Sequence, residues 1–210
     1  MKIISLSFSI ILLLSTKTYG QNFEGEIIYK NTYTSKIPNL TNEQLGLYIG
    51  NTQEYFIKGG NYKSLNNGQA LSLQLYDFAD NRIYNKMRKS DTLYWINTLR
   101  NEDTVLSFNF EKKAGVVLGY SCDALVLKTK TGSTTMYYSD RFKVDSDKFR
   151  KHYFGNWAFY TQKTNALPLK IIVENAQFKM ESTAVEIKPM NLDQTIFKID
   201  SNSPIKESLD

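Results

Sequence analysis

The chain has 210 residues, a formal net charge of +5, 41% hydrophobic residues and 22% charged residues. This is ordinary globular composition, which argues against a disordered or fibrous protein and allows one domain or two small ones. Aromatic residues are abundant (14 Tyr, 12 Phe and 2 Trp), whereas the chain has one Cys and one His. One Cys excludes an intrachain disulfide framework, and so little Cys and His excludes the usual multi-thiolate and multi-histidine metal sites. The sequence therefore predicts no cofactor and no metal centre.

Residues 1–20 have the features of a secretory signal. Lys2 gives the positive start, residues 3–14 are mostly apolar, and Gly20 is the small residue before a predicted cleavage ahead of Gln21. The alternative is a membrane anchor, but an apolar core of about 12 residues is shorter than the roughly 20 that span a bilayer. No cysteine lies near this site to accept a lipid. We expect an exported protein with no transmembrane segment.

The positive charge is scattered along the chain. Its densest spots lie at 112–113, 128–130 and 150–151. None is a run of the 5–8 basic residues that indicates nucleic-acid binding. A nucleic-acid partner is therefore not expected.

Turn signals divide the mature chain into short segments. Pairs and triplets rich in Gly, Asn, Asp and Ser occur at 59–60, 67–68, 80–81, 90–91, 101–103, 113–115 and 131–132. Such residues supply the backbone angles of hairpin turns, and their spacing is typical of an antiparallel meander. No repeat or composition shift indicates a second domain, so one β domain is predicted over residues 21–200, with a frayed tail at 201–210.

Apolar residues alternate with more polar ones between the turns. The alternating sets that predict half-buried strands are Ile27, Tyr29 and Tyr33; Leu71, Leu73 and Leu75; Leu106, Phe108 and Phe110; Leu125 and Leu127; and Leu169, Ile171 and Val173. Near the C-terminus the pattern slips between Met180 and Val185, which predicts a β-bulge around residues 182–184. Adjacent aromatic pairs put rings on both strand faces, which suits either a curved sheet with a covered inner side or a crowded aromatic barrel.

Two short helices are predicted. Thr41 and Gln44 form a capping box, and Gly46 follows closely, so a helix of about one turn is expected. Asp145 is a candidate cap for a second helix with Phe149 and Tyr153 on one face.

Catalytic residues are hard to find in this sequence. His152 lies in a basic stretch and is expected to be a surface histidine, and Cys122 is expected to be a small buried residue, with a nucleophile or an interchain bridge as the alternatives. Asp145 and Asp147 could belong to a carboxylate pair of a hydrolase or to a Ca²⁺ loop, but the ligand spacing of a calcium loop is absent. The chain is predicted not to be an enzyme.

The excess of aromatic side chains has two interpretations. They either fill the core and pair across strands, or they line a cavity for an apolar or sugar-like ligand. The candidates for lining such a cavity are Tyr55, Phe56, Leu73, Leu75, Tyr94, Trp95, Phe108 and Tyr138.

Several short motifs occur in the order seen in a known group of proteins. They are FEGEIIY at 23–29, VLGYSC at 117–122, TTMYYSD at 134–140, ALPLK at 166–170 and FKI at 197–199. Together they resemble exported bacterial families of unknown function whose fold is similar to the lipoprotein carriers LolA and LolB. The related GLPGLI family shares the Gly-Tyr-x-Cys and Leu-Pro elements, but residues 165–169 of this chain lack its glycines and its closing Gly-Leu-Ile.

This resemblance implies a fold and a ligand class. The fold is mainly β: one strongly curved antiparallel sheet that forms an unclosed half-barrel, with one or two short helices or loops over the concave face. The implied function is non-enzymatic binding of an apolar small molecule or lipid, or of a lipidated partner, at the cell envelope. The resemblance also implies a Gram-negative bacterium, with the protein in the periplasm, at the outer membrane or outside the cell. The alternative is a structural or adaptor protein that docks an envelope protein through its sheet edge or aromatic surface. An envelope hydrolase is the weakest hypothesis.

Overall fold

The computed structural model describes residues 22–200 and 202–208, so the predicted signal at 1–20 lies outside the described residues. The structure is mainly β. Its strands are β1 (Gly25–Ser35), β2 (Thr52–Lys58), β3 (Asn61–Asn66), β4 (Leu71–Asp77), β5 (Arg82–Met87), β6 (Leu93–Asn97), β7 (Val105–Val117), β8 (Tyr120–Thr129), β9 (Gly132–Lys143), β10 (Ala166–Asn175), β11 (Phe178–Pro189) and β12 (Ile205–Glu207). Its α-helices are α1 (Asn42–Ile49) and α2 (Trp157–Thr164), and 3₁₀ turns span Ser146–Phe149, Phe154–Asn156 and Gln194–Phe197.

All twelve strands belong to one unclosed sheet in the order β12-β6-β5-β4-β3-β2-β1-β11-β10-β9-β8-β7. β1 lies near the middle, β2–β6 extend from it to one side in chain order, and β11–β7 extend to the other side. Every pair is antiparallel except β12 with β6. The prediction of one curved antiparallel sheet with two short helices is confirmed.

The connection from β6 to β7 shows why the sheet must curl. These strands are ten strand-to-strand steps apart in the sheet, which in a flat sheet is about 48 Å at the usual spacing of roughly 4.8 Å. Residues 98–104 join them, and a connection of that length reaches at most about 28 Å. The two sides of the sheet are therefore bent toward each other.

The segment between β9 and β10, residues 144–165, covers the inside of this curve; we call it the cover. It is hydrogen-bonded to the β6–β7 connection, because the Tyr153 backbone N–H donates to the Thr98 carbonyl (2.8 Å). The Asn156 side chain also donates to the Asp103 carbonyl (2.9 Å). The cover thus lies on the concave side, and the sheet face beneath it is called the inner face.

Hydrophobic residues pack on both faces of the sheet. The inner face carries the main cluster, which includes Tyr62, Tyr76 and Leu169 of the sheet and Phe149 of the cover. The outer face carries a smaller cluster of Leu75, Tyr84 and Leu93, against which Leu73, Trp95 and Ile199 pack. The aromatic residues on the inner face and those on the outer face therefore belong to separate clusters.

β7 differs from its predicted form. The turn expected at 113–115 lies inside this strand as a bulge, where Glu111 pairs with Ala124 but Gly115 pairs with Cys122. The hairpin turn to β8 is instead made by Leu118 (φ 50°) and Gly119 (φ 80°), both in the left-handed region that type I′ turns require.

The alternation of β7 does not produce a buried face. Leu106 is 70% exposed, and Phe108 and Phe110 are more than two-fifths exposed, because β7 is the last strand of the sheet. The predicted alternation is correct in β8, where Leu125 and Leu127 are buried.

The C-terminal bulge is present, but one residue later than predicted. Ile28 pairs with Glu186 and Tyr29 pairs with Ala184, so Val185 is the extra residue. The bulge keeps Ala184 buried on the inner face and brings Ile187 against the same cluster.

The start of the first predicted helix is correct, but its extent is not. The second predicted helix is a 3₁₀ turn, and α2 (Trp157–Thr164) was not predicted. The Thr41 capping box is present, and α1 continues through Gly46 for eight residues rather than one turn. Asp145 caps a 3₁₀ turn by accepting from the Asp147 N–H. Phe149 is buried but Tyr153 is 45% exposed, so these two do not share a face.

Part of the segment expected to be frayed forms a strand. Residues 205–207 make β12, which pairs in parallel with Leu93–Trp95 of β6. The pairing gives the free backbone edge of β6 hydrogen-bond partners.

Candidate functional site

A cavity of about 190 Å³ lies between the inner face and the cover. Its walls include the rings of Tyr29, Tyr55, Tyr62 and Trp157. The ring centroids of Tyr55 and Tyr62 are 5.3 Å apart with the planes tilted by 31°, and Trp157 approaches Tyr62 edge-on at 6.4 Å. The cavity is therefore an aromatic pocket at the point where the cover crosses β1–β3.

Strand alternation explains which tyrosines reach this cavity. In β2 the side chains of Tyr55 and Ile57 point inward, and in β3 those of Tyr62 and Ser64 do so. Tyr62 is paired with Tyr76 of β4 across the sheet, which continues the aromatic row. These tyrosines come from adjacent hairpins, so their proximity follows from local sequence.

A row of amide and hydroxyl side chains runs beside the aromatic row. Cross-strand pairing places Ser64, Gln74 and Asn85 in line on the inner face. Gln53 donates to the Ser64 hydroxyl (2.8 Å), and Gln74 donates to Asn85 (3.1 Å). Gln53 and Gln74 also line the cavity, so one side of it is polar.

His152 is part of the cavity wall and not a surface residue. It is 2% exposed, its Nε2 lies 2.9 Å from the Tyr62 hydroxyl, and its ring packs on Tyr76 at 4.4 Å. Burial lowers the pKa of His152 to about 4, so the ring is neutral at physiological pH. The basic neighbours in the sequence were misleading, because the cover turns this one side chain inward while Lys151 stays exposed.

Several buried polar atoms at the cavity have no hydrogen-bond partner within the described part of the chain. They are the Tyr55 hydroxyl, Nδ1 of His152 and Nε1 of Trp157, and the Tyr160 hydroxyl lies unpaired next to this group. Tyr160 is in contact with Trp157, with ring centroids 5.5 Å apart. Buried polar groups are nearly always paired in native proteins, so these atoms indicate room for water or a ligand.

The cavity is electrically neutral. None of the described residues that line it is Asp, Glu, Lys or Arg. Burial raises the pKa values of Tyr29, Tyr55 and Tyr62, so their hydroxyls stay protonated. The Tyr29 hydroxyl donates to the Pro168 carbonyl (2.7 Å) and is thereby held in place.

A second cleft adjoins the cavity at Phe154 and Gly155. Its volume is about 520 Å³, and charged side chains of Arg100, Glu102 and Asp103 contribute to its walls. This cleft is formed largely by connections at the sheet edge and differs from the aromatic cavity in its charge.

The residues considered for catalysis do not form a site. Cys122 is fully buried, and burial raises the pKa of its thiol, as expected for a structural cysteine. Asp145 caps a 3₁₀ turn. Within residues 22–200 and 202–208, no cluster of three or more His, Cys, Asp or Glu is placed to hold a metal.

The structure separates the predicted cavity residues. Tyr55 lines the aromatic cavity, Tyr138 packs 6.4 Å from Tyr160, and Tyr94 continues the polar row because it pairs with Asn85. Phe108 is 44% exposed and contacts Phe159 of the cover at 5.2 Å.

The remaining four predicted residues lie on the outer face. Leu73, Leu75 and Trp95 belong to the outer cluster, and Phe56 alternates with Tyr55 and so points outward. The prediction missed Tyr62, His152 and Trp157. The alternation of β3 could have predicted that Tyr62 faces inward with Ser64. Nothing in the sequence showed where the cover would place His152 and Trp157.

Two solved structures match this chain weakly. The lipoprotein LppX of Mycobacterium tuberculosis is 11% identical over 81% of this chain and 90% of that chain, with a TM-score of 0.38. LprF of Mycobacterium bovis is 8% identical over 80% of this chain and 89% of that chain, with a TM-score of 0.33. No family model and no curated protein matches, so the resemblance to the GLPGLI family gains no support. Structural similarity as weak as that to LppX and LprF assigns no ligand to the chain.

Proposed function

We propose that this chain is an exported, non-enzymatic binding protein that holds an apolar ligand between its inner face and its cover, at the cell envelope. The observation that carries the proposal is the aromatic cavity, which remains open although tyrosine and tryptophan rings surround it. Export is supported by the signal-like residues 1–20. In the described part of the chain, no helix has the length and apolarity to cross a membrane.

The cavity volume sets what this part of the site can take. A volume of about 150 Å³ in an apolar core is enough to bind benzene. The cavity of about 190 Å³ therefore accepts a ring or one end of an acyl chain. Each Å² of apolar ligand surface removed from water there contributes about 25 cal/mol. The rest of a longer ligand must continue along the inner face.

Ile171 and Ile172 offer a matched test. These neighbours in β10 are both half-buried, but only Ile171 lines the cavity. Ile171→Trp should fill the cavity and abolish the fluorescence enhancement of N-phenyl-1-naphthylamine, an uncharged apolar probe. Ile172→Trp, on the other face of the same strand, should leave probe binding within about twofold.

The measurement is a probe titration on folded protein, checked by circular dichroism, together with native mass spectrometry of gently extracted protein. The native spectrum should show a lipid-sized adduct. An unliganded mass, with no probe uptake by the wild-type protein, would refute apolar ligand binding.

A second candidate function is docking of a protein partner on β7. Among the described strands β12 and β7 are the two edge strands, but β12 has 3 residues, whereas β7 has 13 and pairs only with β8. Its exposed apolar side chains include Leu106 (70% exposed) and Val116 (71% exposed). Exposed apolar edge strands are templates for strand addition.

Photo-crosslinking distinguishes the second candidate from the first. A crosslinker at Leu106 should give one stoichiometric protein adduct in cells if β7 docks a partner, and Phe110→Lys should abolish it. A crosslinker at Leu47, equally apolar but on α1, is the control. Many weak adducts at both positions would contradict a specific partner.

A further inference from the structure

The unpaired atoms of the cavity indicate more than an apolar ligand. The Tyr55 hydroxyl and Nδ1 of His152 belong to side chains that are more than nine-tenths buried and that line the cavity. Nε1 of Trp157 is also unpaired, and an indole nitrogen can only donate a hydrogen bond. A ligand that fits should therefore carry an acceptor oxygen along its apolar part, placed to accept hydrogen bonds from Tyr55 and Trp157.

The ligand's buried part should carry no charge. No acidic or basic side chain among the described residues lines this cavity, and His152 is neutral. A carboxylate or phosphate would lose its hydration without gaining a counter-ion, which strongly disfavours burial. Neutral oxygens, such as those of an ester, satisfy the donors without that penalty.

The polar row indicates where a neutral head would lie. Gln53 and Gln74 border the cavity and lead to Ser64 and Asn85 along the inner face. Amide and hydroxyl groups both donate and accept, so they can pair with the hydroxyls of a head group. An apolar chain in the aromatic cavity then has its head on this row.

We propose that the cavity selects a neutral single-chain acyl ester with a hydroxylated head, such as a monoacylglycerol, over the fatty acid of the same chain. The ester oxygen accepts from Tyr55 and Trp157, and the head hydroxyls lie on the row of Gln53, Ser64 and Gln74. This proposal rests on the proposed function, since it specifies the ligand of the same cavity.

The two tryptophans provide the assay. Trp95 lies on the outer face with Arg82 stacked over it (3.9 Å), whereas Trp157 lines the cavity. Trp95→Phe leaves Trp157 as the one tryptophan of the protein. Its emission then reports on ligands in the cavity. The probes are 1-decanoylglycerol, decanoate and cyclohexane, each below its aggregation or solubility limit.

We expect 1-decanoylglycerol to bind at least about tenfold more tightly than decanoate at pH 7.5. Tyr55→Phe should weaken 1-decanoylglycerol binding by about three- to tenfold, the usual effect of removing one hydrogen bond, and should leave the binding of cyclohexane, which has no hydrogen-bonding atom, unchanged.

The outcomes separate the two proposals. Equal affinity for 1-decanoylglycerol and decanoate would overturn the selection of neutral esters and leave the proposed function standing. An equal loss of affinity for cyclohexane and 1-decanoylglycerol in Tyr55→Phe would also overturn it, since the hydroxyl would then only shape the cavity. If no probe changes Trp157 emission and N-phenyl-1-naphthylamine does not bind, the proposed function itself fails.

Discussion

The burial of His152 makes the stability of the fold depend on pH. Its pKa is about 4 in the folded chain, against 6.5 for an ordinary histidine, mainly because burial disfavours the charged ring. The unfolded chain therefore binds a proton that the folded chain does not. The free energy of unfolding therefore has its full value above about pH 6.5 and decreases as the pH falls toward 4.

The size of the effect follows from these two pKa values. Between pH 7 and pH 5 the free energy of unfolding should fall by about 2 kcal/mol. With a urea m-value of about 2 kcal/mol per M, the unfolding midpoint should drop by about 1 M. His152 is the one histidine of the chain, and carboxyl groups such as Glu181, whose pKa is lowered to about 2 by Lys170 and Lys179, titrate below this range.

The assay is urea unfolding at pH 7, 6 and 5, compared with His152→Gln. The glutamine can still pair with the Tyr62 hydroxyl but does not titrate, so its midpoint should change little over this range. The imidazole proton resonance should titrate near pH 4 in folded protein. Equal pH dependence in both proteins, or a His152 pKa near 6.5, would refute the reasoning.

Three further predictions concern caps, turns and the thiol. Thr41→Ala removes the acceptor for the Gln44 N–H (3.2 Å) and should cost about 1 kcal/mol by urea unfolding, whereas Thr41→Ser should cost less than half of that. Gly155→Ala places a side chain at φ 61°, where nothing lies within 4 Å of the added carbon, so the strain alone should cost about 1–2 kcal/mol; no loss would contradict the left-handed geometry. Cys122 should react with Ellman's reagent only in denaturant, and fast reaction of the native protein would contradict its burial.

Local sequence was sufficient to predict the parts of the fold that depend on neighbouring strands. The turn pairs that separate β2 from β3 and β3 from β4 predicted the hairpins, and alternation placed Ile27 and Tyr29 in the interior. Alternation failed in β7 because it says nothing about whether another strand follows. Leu106 and Phe108 have the pattern of a buried face but lie at the end of the sheet.

The candidate site was harder to predict, because it depends on contacts that are distant in sequence. His152 meets Tyr62 across 90 residues, and the Tyr29 hydroxyl meets the Pro168 carbonyl across 139. Such contacts follow from the curl of the whole sheet and from the path of the cover. Composition and alternation correctly indicated an aromatic interior, but they could not show which face the cover would occupy.

The most direct test of the account is a crystal structure of the protein grown with 1-decanoylglycerol. We predict density for the acyl chain between Tyr55, Tyr62 and Trp157, with the head on the row that begins at Gln53. A chain bound in the charged cleft beside Arg100, or no bound chain with the aromatic cavity closed, would contradict the central claim.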